Sequence, residues 1–314
     1  MKRNVLIAAG LLAIFLVAAE VGLRVFFGLG SPPLVYANTK FGYAFRPKQS
    51  LKRFGHAISY NEQGLRSEPL RPITGTAYRI LCVGGSVTNG GALVNQADTY
   101  PYQLERILSA RGDKVQVLNA SAVGWTLTNE YDFLEDKGIF GARVVVLEVG
   151  TRTLYPGPAM SFTVGADPNL PDHNPPLAMV EAVDRYILPR VLRKLGMSSA
   201  EAPPVWSDRY VTLEDYQRGF GTLKAMVTLL SRLGAKPVIL LTPDKDEAVP
   251  GQYRAEYQKD LSDLAASANG KFVDLMPAWH AALSQGREPL RDSVDPNSEG
   301  NQAIAQALAA EPLF

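Results

Sequence analysis

Cysteine and histidine are scarce in this chain. Its 314 residues contain one cysteine, Cys82, and three histidines, His56, His173 and His280. A single cysteine forms no intramolecular disulfide and no cysteine metal cluster, and its place in an apolar run is typical of a small core residue. The histidines lie far apart in the sequence, without the spacing of zinc ligands. The sequence therefore predicts no metal and no cofactor.

A surplus of either charge is also absent. The chain has 32 basic and 31 acidic residues, which gives a formal net charge of +1. A balanced charge argues against nucleic acid as a partner, because no basic field attracts the phosphates. With 46% hydrophobic and 20% charged residues, the composition is that of a globular protein with a sizeable core.

The N-terminus carries a long apolar run. Two basic residues precede VLIAAGLLAIFLVAA, and Glu20 and Arg24 follow with the i,i+4 spacing of a helical ion pair. With its continuation, the run approaches the roughly 20 residues needed to span a bilayer. We expect an uncleaved signal anchor over residues 1–28, with its basic end in the cytoplasm, in a single-pass inner-membrane protein whose domain is periplasmic. Cleavage of a signal peptide after Ala19 is the alternative, and both export the chain.

The segment 29–77 is rich in proline, glycine and aromatic residues, too irregular for a helix and too apolar for a disordered tether. We expect an extracytoplasmic strap packed on the next domain. From Tyr78 onward, apolar strands alternate with amphipathic helices, the pattern of βαβ units. The predicted strands are 78–83, 115–119, 143–149, 236–242 and 271–275. The predicted helices lie near 99–110, 128–137, 213–233, 252–267 and 299–310. Residues 78–314 are thus predicted to form an α/β fold, a flavodoxin-like three-layer sandwich with five parallel strands.

A proline-rich insertion over residues 154–210 interrupts this alternation. A loop of this length in a compact domain is usually a lid or a partner surface. Within it, a predicted helix over 177–195 carries several basic residues. They are Arg185, Arg190, Arg193 and Lys194. These residues suit an anionic glycan or lipid headgroups, or they belong to a solvated helix face.

One serine follows the first predicted strand of the sheet. In YRILCVGGSVTNGG, the apolar strand leads into a glycine turn, and Ser86 lies just past the carboxyl end of the strand. Ligands of open α/β sheets bind beyond these strand ends, and glycines allow a substrate to approach the main chain closely. Ser86 is therefore a candidate nucleophile. A strand-to-helix turn built from small residues for steric reasons is the alternative.

The sequence GGSVTNGG resembles the first motif of the SGNH (GDSL-like) hydrolases, and other motifs follow in the order of that family. In VLNASAVGWT, Gly124 matches the glycine whose amide serves the oxyanion hole, and Asn119 lies at the same rim. DSVDPNSEGNQAIAQAL resembles the terminal Asp-x-x-His-Pro-Asn-x-x-Gly motif, with Asp292 at the orienting aspartate. NEQGLR, at 61–66, resembles a segment of membrane-anchored members, or is a plain turn. The resemblance implies the SGNH fold and ester hydrolysis through a serine.

Two positions depart from the family pattern. Asp295 stands where the family has its histidine, and Arg152 stands where it has the oxyanion asparagine. A carboxylate with an ordinary pKa of about 3.9 is a weaker base than an imidazole near 6.5. The guanidinium of Arg152 suits an oxyanion or an anionic substrate, or pairs with an acid elsewhere. Two histidines are candidates to replace the missing base: His173, if the insertion loop folds over the rim, and His280, which follows Trp279 on a predicted short helix. The alternative is that both are ordinary surface or core histidines.

These observations favour an exported, membrane-anchored ester hydrolase. Its expected substrate is an acylated glycan, with O-acetyl groups of a cell-surface polysaccharide as the first choice by family analogy. The two substitutions motivate an alternative from another class, a degenerate hydrolase fold that binds glycan or joins polysaccharide-assembly proteins. Acyl transfer to a sugar acceptor is a third hypothesis, because slow reaction with water favours another acceptor.

Overall fold

A long helix opens the chain. The computed structural model describes the following residues: 2–150, 153–154, 164–197, 213–253 and 257–312. Helix α1 spans Lys2–Phe27. Its most apolar window has a mean hydropathy of 2.5, and none of that window is buried against the rest of the protein. By length and composition, α1 suits a single membrane span or a signal anchor.

The segment after α1 folds into two antiparallel hairpins that the sequence did not predict as strands. The first pairs β1 (Val35–Asn38) with β2 (Gly42–Phe45), and the second pairs β3 (Gln49–Arg53) with β4 (His56–Tyr60). Tyr43 is buried with its neighbour aromatics, and its carbonyl accepts a hydrogen bond of 2.9 Å from the indole of Trp125. The hairpins therefore share a hydrophobic core with the following α/β domain.

The α/β domain is organised around a five-stranded parallel sheet, as predicted. Its strands are β5 (Tyr78–Gly84), β6 (Val115–Ser121), β7 (Val144–Gly150), β8 (Lys236–Thr242) and β9 (Lys271–Asp274). Their order in the sheet is β6-β5-β7-β8-β9, the doubly wound arrangement. Because all five run in parallel, the carboxyl ends of the strands lie at one edge. Gly84 pairs there with Ser121, and Gly150 with Thr242.

Helices cover both faces of the sheet. The described helices after α1 are α2 (Ser86–Asn89), α3 (Tyr100–Ala110), α4 (Leu127–Lys137), α5 (Ala178–Glu181), α6 (Leu188–Lys194), α7 (Leu213–Arg232), α8 (Lys245–Ala248), α9 (Gln258–Ser267), α10 (Met276–Ser284) and α11 (Ser298–Ala310). Of these, α5 and α6 belong to the insertion rather than to the two helical layers of the sheet. Alternate residues of β5 enter different cores, because successive strand side chains point to opposite faces. Ile80 packs with α3, α10 and α11, whereas Leu81 packs with the hairpins, α4, α7 and α9.

The described part of the insertion contains the predicted helix. A π-helical stretch, Ala182–Ile187, joins α5 to α6 without a break, and the whole is called the 178–194 helix below. The predicted helix starting at 252 begins later, at Gln258, and α8 is followed by a turn in which Gly251 has φ +71°.

Candidate active site

The turn after β5 presents Ser86 at the carboxyl edge of the sheet. Gly85 is the N-cap of α2, and Ser86 is the first residue of that helix and half-buried. The amide of Ser86 is therefore among the N-terminal N–H groups that a helix leaves without an internal partner. Gly84 is sterically required, since an added Cβ would lie 2.2 Å from Oγ1 of Thr88. The tight turn fixes both the hydroxyl and the amide of Ser86.

Asp295 lies beside Ser86. Its carboxylate interacts with the Ser86 hydroxyl, and its Oδ2 forms an ion pair of 2.8 Å with Arg291. Its Oδ1 is buried and has no well-aligned hydrogen bond to any described residue. Asp295 thus lies beside the candidate nucleophile and keeps one buried oxygen for a proton.

Burial raises the pKa of Asp295 above its ordinary value, against the opposing effect of the Ser86 hydroxyl. The neighbouring Asp292 carboxylate raises this pKa further, while the Arg291 guanidinium lowers it. A carboxylate with a raised pKa accepts a proton more readily than an exposed aspartate. The surroundings of Asp295 therefore make it a stronger base than its residue type alone indicated.

Asp292 shapes the turn that carries Asp295. The Asp292 side chain is half exposed, and its Oδ1 accepts hydrogen bonds from the amides of Val294 at 3.0 Å and Asp295 at 2.8 Å. Asn297 then caps α11 by accepting the Gly300 amide at 3.0 Å. Asp292 thus fixes the backbone conformation of the turn that carries Asp295.

Glu148 is a site residue that the sequence analysis missed. It points inward from β7 and is 1% exposed, and its Oε1 accepts a hydrogen bond of 2.7 Å from the Thr242 hydroxyl. The amide of Gly85 also donates to this carboxyl. Its Oε2 is buried without a hydrogen-bond partner among the described residues. Glu148 therefore lies directly beneath the nucleophile turn.

Burial raises the pKa of Glu148 to about 7, and the charge of Asp295 contributes to the rise. A second acid, Glu130 of α4, is fully buried, and burial together with the charge of Glu148 raises its pKa well above the ordinary value. Like charges that lie close together in a buried region disfavour ionisation, so the three acids hold their protons to a higher pH than exposed carboxyl groups do. The one sequence signal for Glu148 is an acid inside the otherwise apolar strand VVVLEVG.

The Gly124 loop packs against the nucleophile turn. Gly124 has φ +90°, which favours glycine, and an added Cβ would lie 3.3 Å from the Tyr43 hydroxyl. That hydroxyl donates to the carbonyl of Val123. On the other side, a Cβ on Gly85 would lie 3.2 Å from the carbonyl oxygen of Trp125. The close approach brings the candidate oxyanion glycine next to the Ser86 turn.

Asn119 is buried below the same edge. Its Nδ2 donates to the carbonyl of Thr88 at 2.7 Å, and its Oδ1 accepts from the Ser121 hydroxyl. Both ends of the amide are thus engaged inside the protein, where they hold α2 against β6. A contact of Asn119 with substrate stays a prediction.

Arg152 lies outside the described residues. The two histidines considered as replacement bases have other neighbours. His173 pairs with Asp172 at 2.6 Å on an exposed loop, and Nδ1 of His280 lies 3.0 Å from the carbonyl of Ala248. Neither contacts Ser86 among the described hydrogen bonds and ion pairs. Asp295 is therefore the residue that the described structure brings to the nucleophile.

Arg66 clamps the loop that follows α2. It belongs to the NEQGLR segment and is 2% exposed. Its guanidinium donates to the carbonyls of Asn89, of Gly91 at 2.6 Å and of Val94 at 2.7 Å. The N-terminal segment thus fixes the loop next to Ser86, and burial lowers the pKa of Arg66.

Comparison with known proteins identifies the family of the chain. The model of the GDSL-like lipase/acylhydrolase family matches residues 82–303, which include the Ser86 turn and the Asp292 to Asp295 turn. The chain belongs to this family. The match covers more than half of the chain, including strands β6 to β9 of the parallel sheet and the carboxyl end of β5. No curated protein matches the chain significantly.

Several solved structures are similar at low identity. A mutant of an acetyl-xylooligosaccharide esterase from Geobacillus is 19% identical over 76% of this chain and 96% of that one, with a TM-score of 0.47. A lipase/acylhydrolase from Enterococcus faecalis is 16% identical over 74% and 94%, with a TM-score of 0.45. A two-domain esterase active on acetylated mannans is 13% identical over 74% of this chain and 48% of that chain, with a TM-score of 0.44.

The Arg66 clamp predicts an effect on stability. Arg66→Lys removes the planar fork and leaves buried carbonyls unpaired, so we expect a loss of roughly 2 to 4 kcal/mol in the free energy of unfolding. Denaturant unfolding of the purified protein measures it. Arg46→Lys, at an exposed position of the same segment, is the control and should change stability by less than about 1 kcal/mol. Equal effects of the two substitutions would contradict the clamp.

The raised pKa of Glu148 predicts a pH-dependent stability. Between its ordinary pKa of 4.5 and its folded value of about 7, the folded state holds a proton that the unfolded state releases, so stability falls as pH rises. Glu148→Gln removes this term, worth roughly 3 kcal/mol. We expect it to be close to neutral at about pH 5 and to stabilise the protein at about pH 8. Chemical unfolding at both pH values measures the difference, with the exposed Glu62→Gln as control. A pH-independent difference would rule out the buried titration.

Proposed function

We propose that this protein is a serine ester hydrolase in which Asp295 takes the place of the family's histidine. The observation that carries the proposal is the contact between the Ser86 hydroxyl and the Asp295 carboxylate at the carboxyl edge of the sheet. Family membership supports the reaction class. The neighbouring Glu148 and the Gly124 loop support the remaining roles.

The proposed reaction begins with attack of the Ser86 oxygen on the ester carbonyl, while the hydroxyl proton passes to Asp295. The amides of Ser86 and Gly124 stabilise the resulting oxyanion. Collapse expels the alcohol, which takes the proton back from Asp295, and leaves an acyl group on Ser86. Water then attacks the acyl-enzyme by the same sequence of proton transfers and releases the carboxylic acid. Atoms and protons balance over the two halves.

Glu148 assists Asp295 in this scheme by position. When Glu148 is protonated, it adds no negative charge to those of Asp292 and Asp295. When Glu148 is ionised, its charge raises the proton affinity of Asp295. The base strength of Asp295 thus depends on the protonation of Glu148. The two carboxyl groups interact through their charges, since no hydrogen bond joins them in the described structure. Even so, an aspartate remains a weaker base than an imidazole, and we expect modest turnover.

For the substrate, we propose O-acyl, in particular O-acetyl, esters of a cell-surface polysaccharide. The proposal includes a membrane anchor formed by α1 and a catalytic domain on the periplasmic side of the inner membrane. The support is the apolar length of α1 and its exposed surface. A domain held outside the cytoplasm meets envelope polymers there, and an immobile polymer suits an enzyme that is itself tethered.

Asp295 also favours a second candidate function. A hydrolase fold without its imidazole suits a glycan-binding or polysaccharide-assembly subunit that no longer turns over ester. Acyl transfer to a sugar is a variant of the first proposal in which a hydroxyl of the acceptor replaces water. Release of free acetate, compared with acetyl transfer to an added glycan, separates these three.

The nucleophile is tested by Ser86→Ala. We expect the full chain, purified in detergent, to hydrolyse nitrophenyl acetate slowly, and the substitution to lower the rate by about 10²-fold or to background. Ser109→Ala, at an exposed position of α3, is the control and should keep the wild-type rate. Equal rates for Ser86→Ala and wild type would end the hydrolase proposal.

The base is tested by two substitutions of Asp295. Asp295→Asn keeps the shape without the proton acceptor and should abolish the Ser86-dependent rate. Asp295→His should raise the rate about tenfold or more at neutral pH and move the acid limb of the pH profile toward about 6.5. Both are measured as kcat/KM against pH. Activity that appears only in Asp295→His would favour the glycan-binding subunit over the hydrolase.

A further inference from the structure

The 178–194 helix exposes an apolar stripe that no other part of the described structure covers. Val180, Val183, Ile187 and Val191 recur with helical spacing, and Ile187 is 53% exposed. The opposite face enters the protein, where Ala178 and Glu181 are buried. Leu188, Leu195 and Met197 add further exposed apolar area at the end of the helix. An amphipathic helix with an uncovered apolar face needs an apolar environment on that side.

The helix begins directly on α1. The Glu20 carboxylate accepts the amides of Ala178 at 2.8 Å and Met179 at 3.0 Å, the first residues of the helix. Counted from Asn4, a span of roughly 20 residues ends near Leu23, so that Glu20 lies at the outer boundary of a bilayer crossed by α1. The start of the 178–194 helix is thereby placed at the depth of the lipid headgroups.

A buried ion pair fixes the orientation of the helix. Arg53 of β3 binds Glu181 with both guanidinium NH groups, and the Gly30 amide donates to the same carboxylate at 2.6 Å. Tyr186 packs edge-on against Phe54 at 5.7 Å between ring centroids. With the inner face held in this way, the apolar stripe is directed away from the hairpins.

The charges on the outer half of the helix match an anionic surface. Arg190, Arg193 and Lys194 are exposed, and Asp184 is the one acid between residues 182 and 197. Long basic side chains keep their stems in apolar surroundings while their charged ends reach the headgroups. An apolar face flanked by basic residues is the composition of helices that lie in the membrane interface.

We propose that the 178–194 helix lies in the lipid–water interface beside α1, with its apolar stripe among the acyl chains and its basic end on anionic headgroups. The inference rests on the proposed membrane span of α1. A helix in the interface gives the domain a second attachment, so that the carboxyl edge of the sheet is held at a fixed angle to the bilayer. The occupant of the apolar stripe is the bilayer itself.

Fluorescence quenching by lipid tests the proposal on the full chain in liposomes. Cysteine replaces Leu12 of α1, Ile187 of the helix or Val249, an exposed apolar residue of the α/β domain, and each is labelled with bimane. The native Cys82 is fully buried and stays unlabelled. We expect spin-labelled acyl chains to remove most of the fluorescence at positions 12 and 187 and little at 249. Quenching at 187 should be stronger with phosphatidylglycerol than with phosphatidylcholine alone.

The possible outcomes distinguish failure of the proposal for the 178–194 helix from failure of the membrane span proposed for α1. Quenching at position 12 without quenching at 187 overturns the proposal and leaves the anchor intact. Absence of quenching at position 12 overturns the anchor, and the proposal with it. A probe at 187 that is shielded from water, unquenched by lipid and sensitive to protein concentration indicates a second copy of the chain on the stripe and also overturns the proposal.

A charge-reversed variant supplies the matched comparison. The substitutions Arg190→Glu, Arg193→Glu and Lys194→Glu together should abolish the gain in quenching at 187 that phosphatidylglycerol provides. Lys224→Glu, at an exposed position of α7, should leave that gain unchanged. An equal gain in all three proteins would contradict the role of the basic end.

Discussion

The close approach of main chain at the Gly84-Gly85 turn is the constraint on which the site depends. No Cβ fits at Gly84 without moving Thr88, and a Cβ at Gly85 would press on the carbonyl of Trp125. Because the turn is this tight, the loop after β6, the carboxyl of Glu148 and the first residue of α2 meet within one small volume. The N-terminal segment supports it from outside: Tyr43 of the first hairpin binds the Gly124 loop, and Arg66, which follows the second hairpin, binds the loop after α2. A segment that precedes the α/β domain in the sequence is therefore part of the scaffold of the site.

Three buried or partly buried acids near Ser86 influence one another's protonation. Asp295, Glu148 and Glu130 form a chain of carboxyl groups in which each charge raises the proton affinity of the next. An imidazole at the position of Asp295 would be neutral at rest and would cost little to bury, whereas a carboxylate must be desolvated. Arg291 compensates part of that cost. The surroundings of Asp295 therefore suit a buried carboxylate, which supports the role proposed for it above.

Patterns along the chain sufficed for the sheet and supplied candidates for the site. The strands of the parallel sheet are largely apolar runs, which predicted the sheet. The turns after β5 and before α11 carry motif residues close together in sequence, which made Ser86, Asp292 and Asp295 candidates whose roles stay predictions. The hairpins formed by β1 to β4 were not predicted, because short, irregular strands leave little periodicity in the sequence. Glu148 was missed because its partners are distant: Thr242 comes from another strand, and Asp295 from the end of the domain. Burial of an acid depends on the packed fold, and a single acidic residue in an apolar stretch of sequence is only a weak sign of it.

The single thiol of the chain has a consequence for the study of its folding. Cys82 lies in the centre of β5 without exposure, and burial raises its pKa, so it reacts with neither oxidants nor alkylating reagents while the sheet is closed. Modification of this sulfur then requires the central strand to open. The rate at which a thiol reagent modifies Cys82 in the native protein consequently reports opening of the sheet. No engineered cysteine is needed for this measurement.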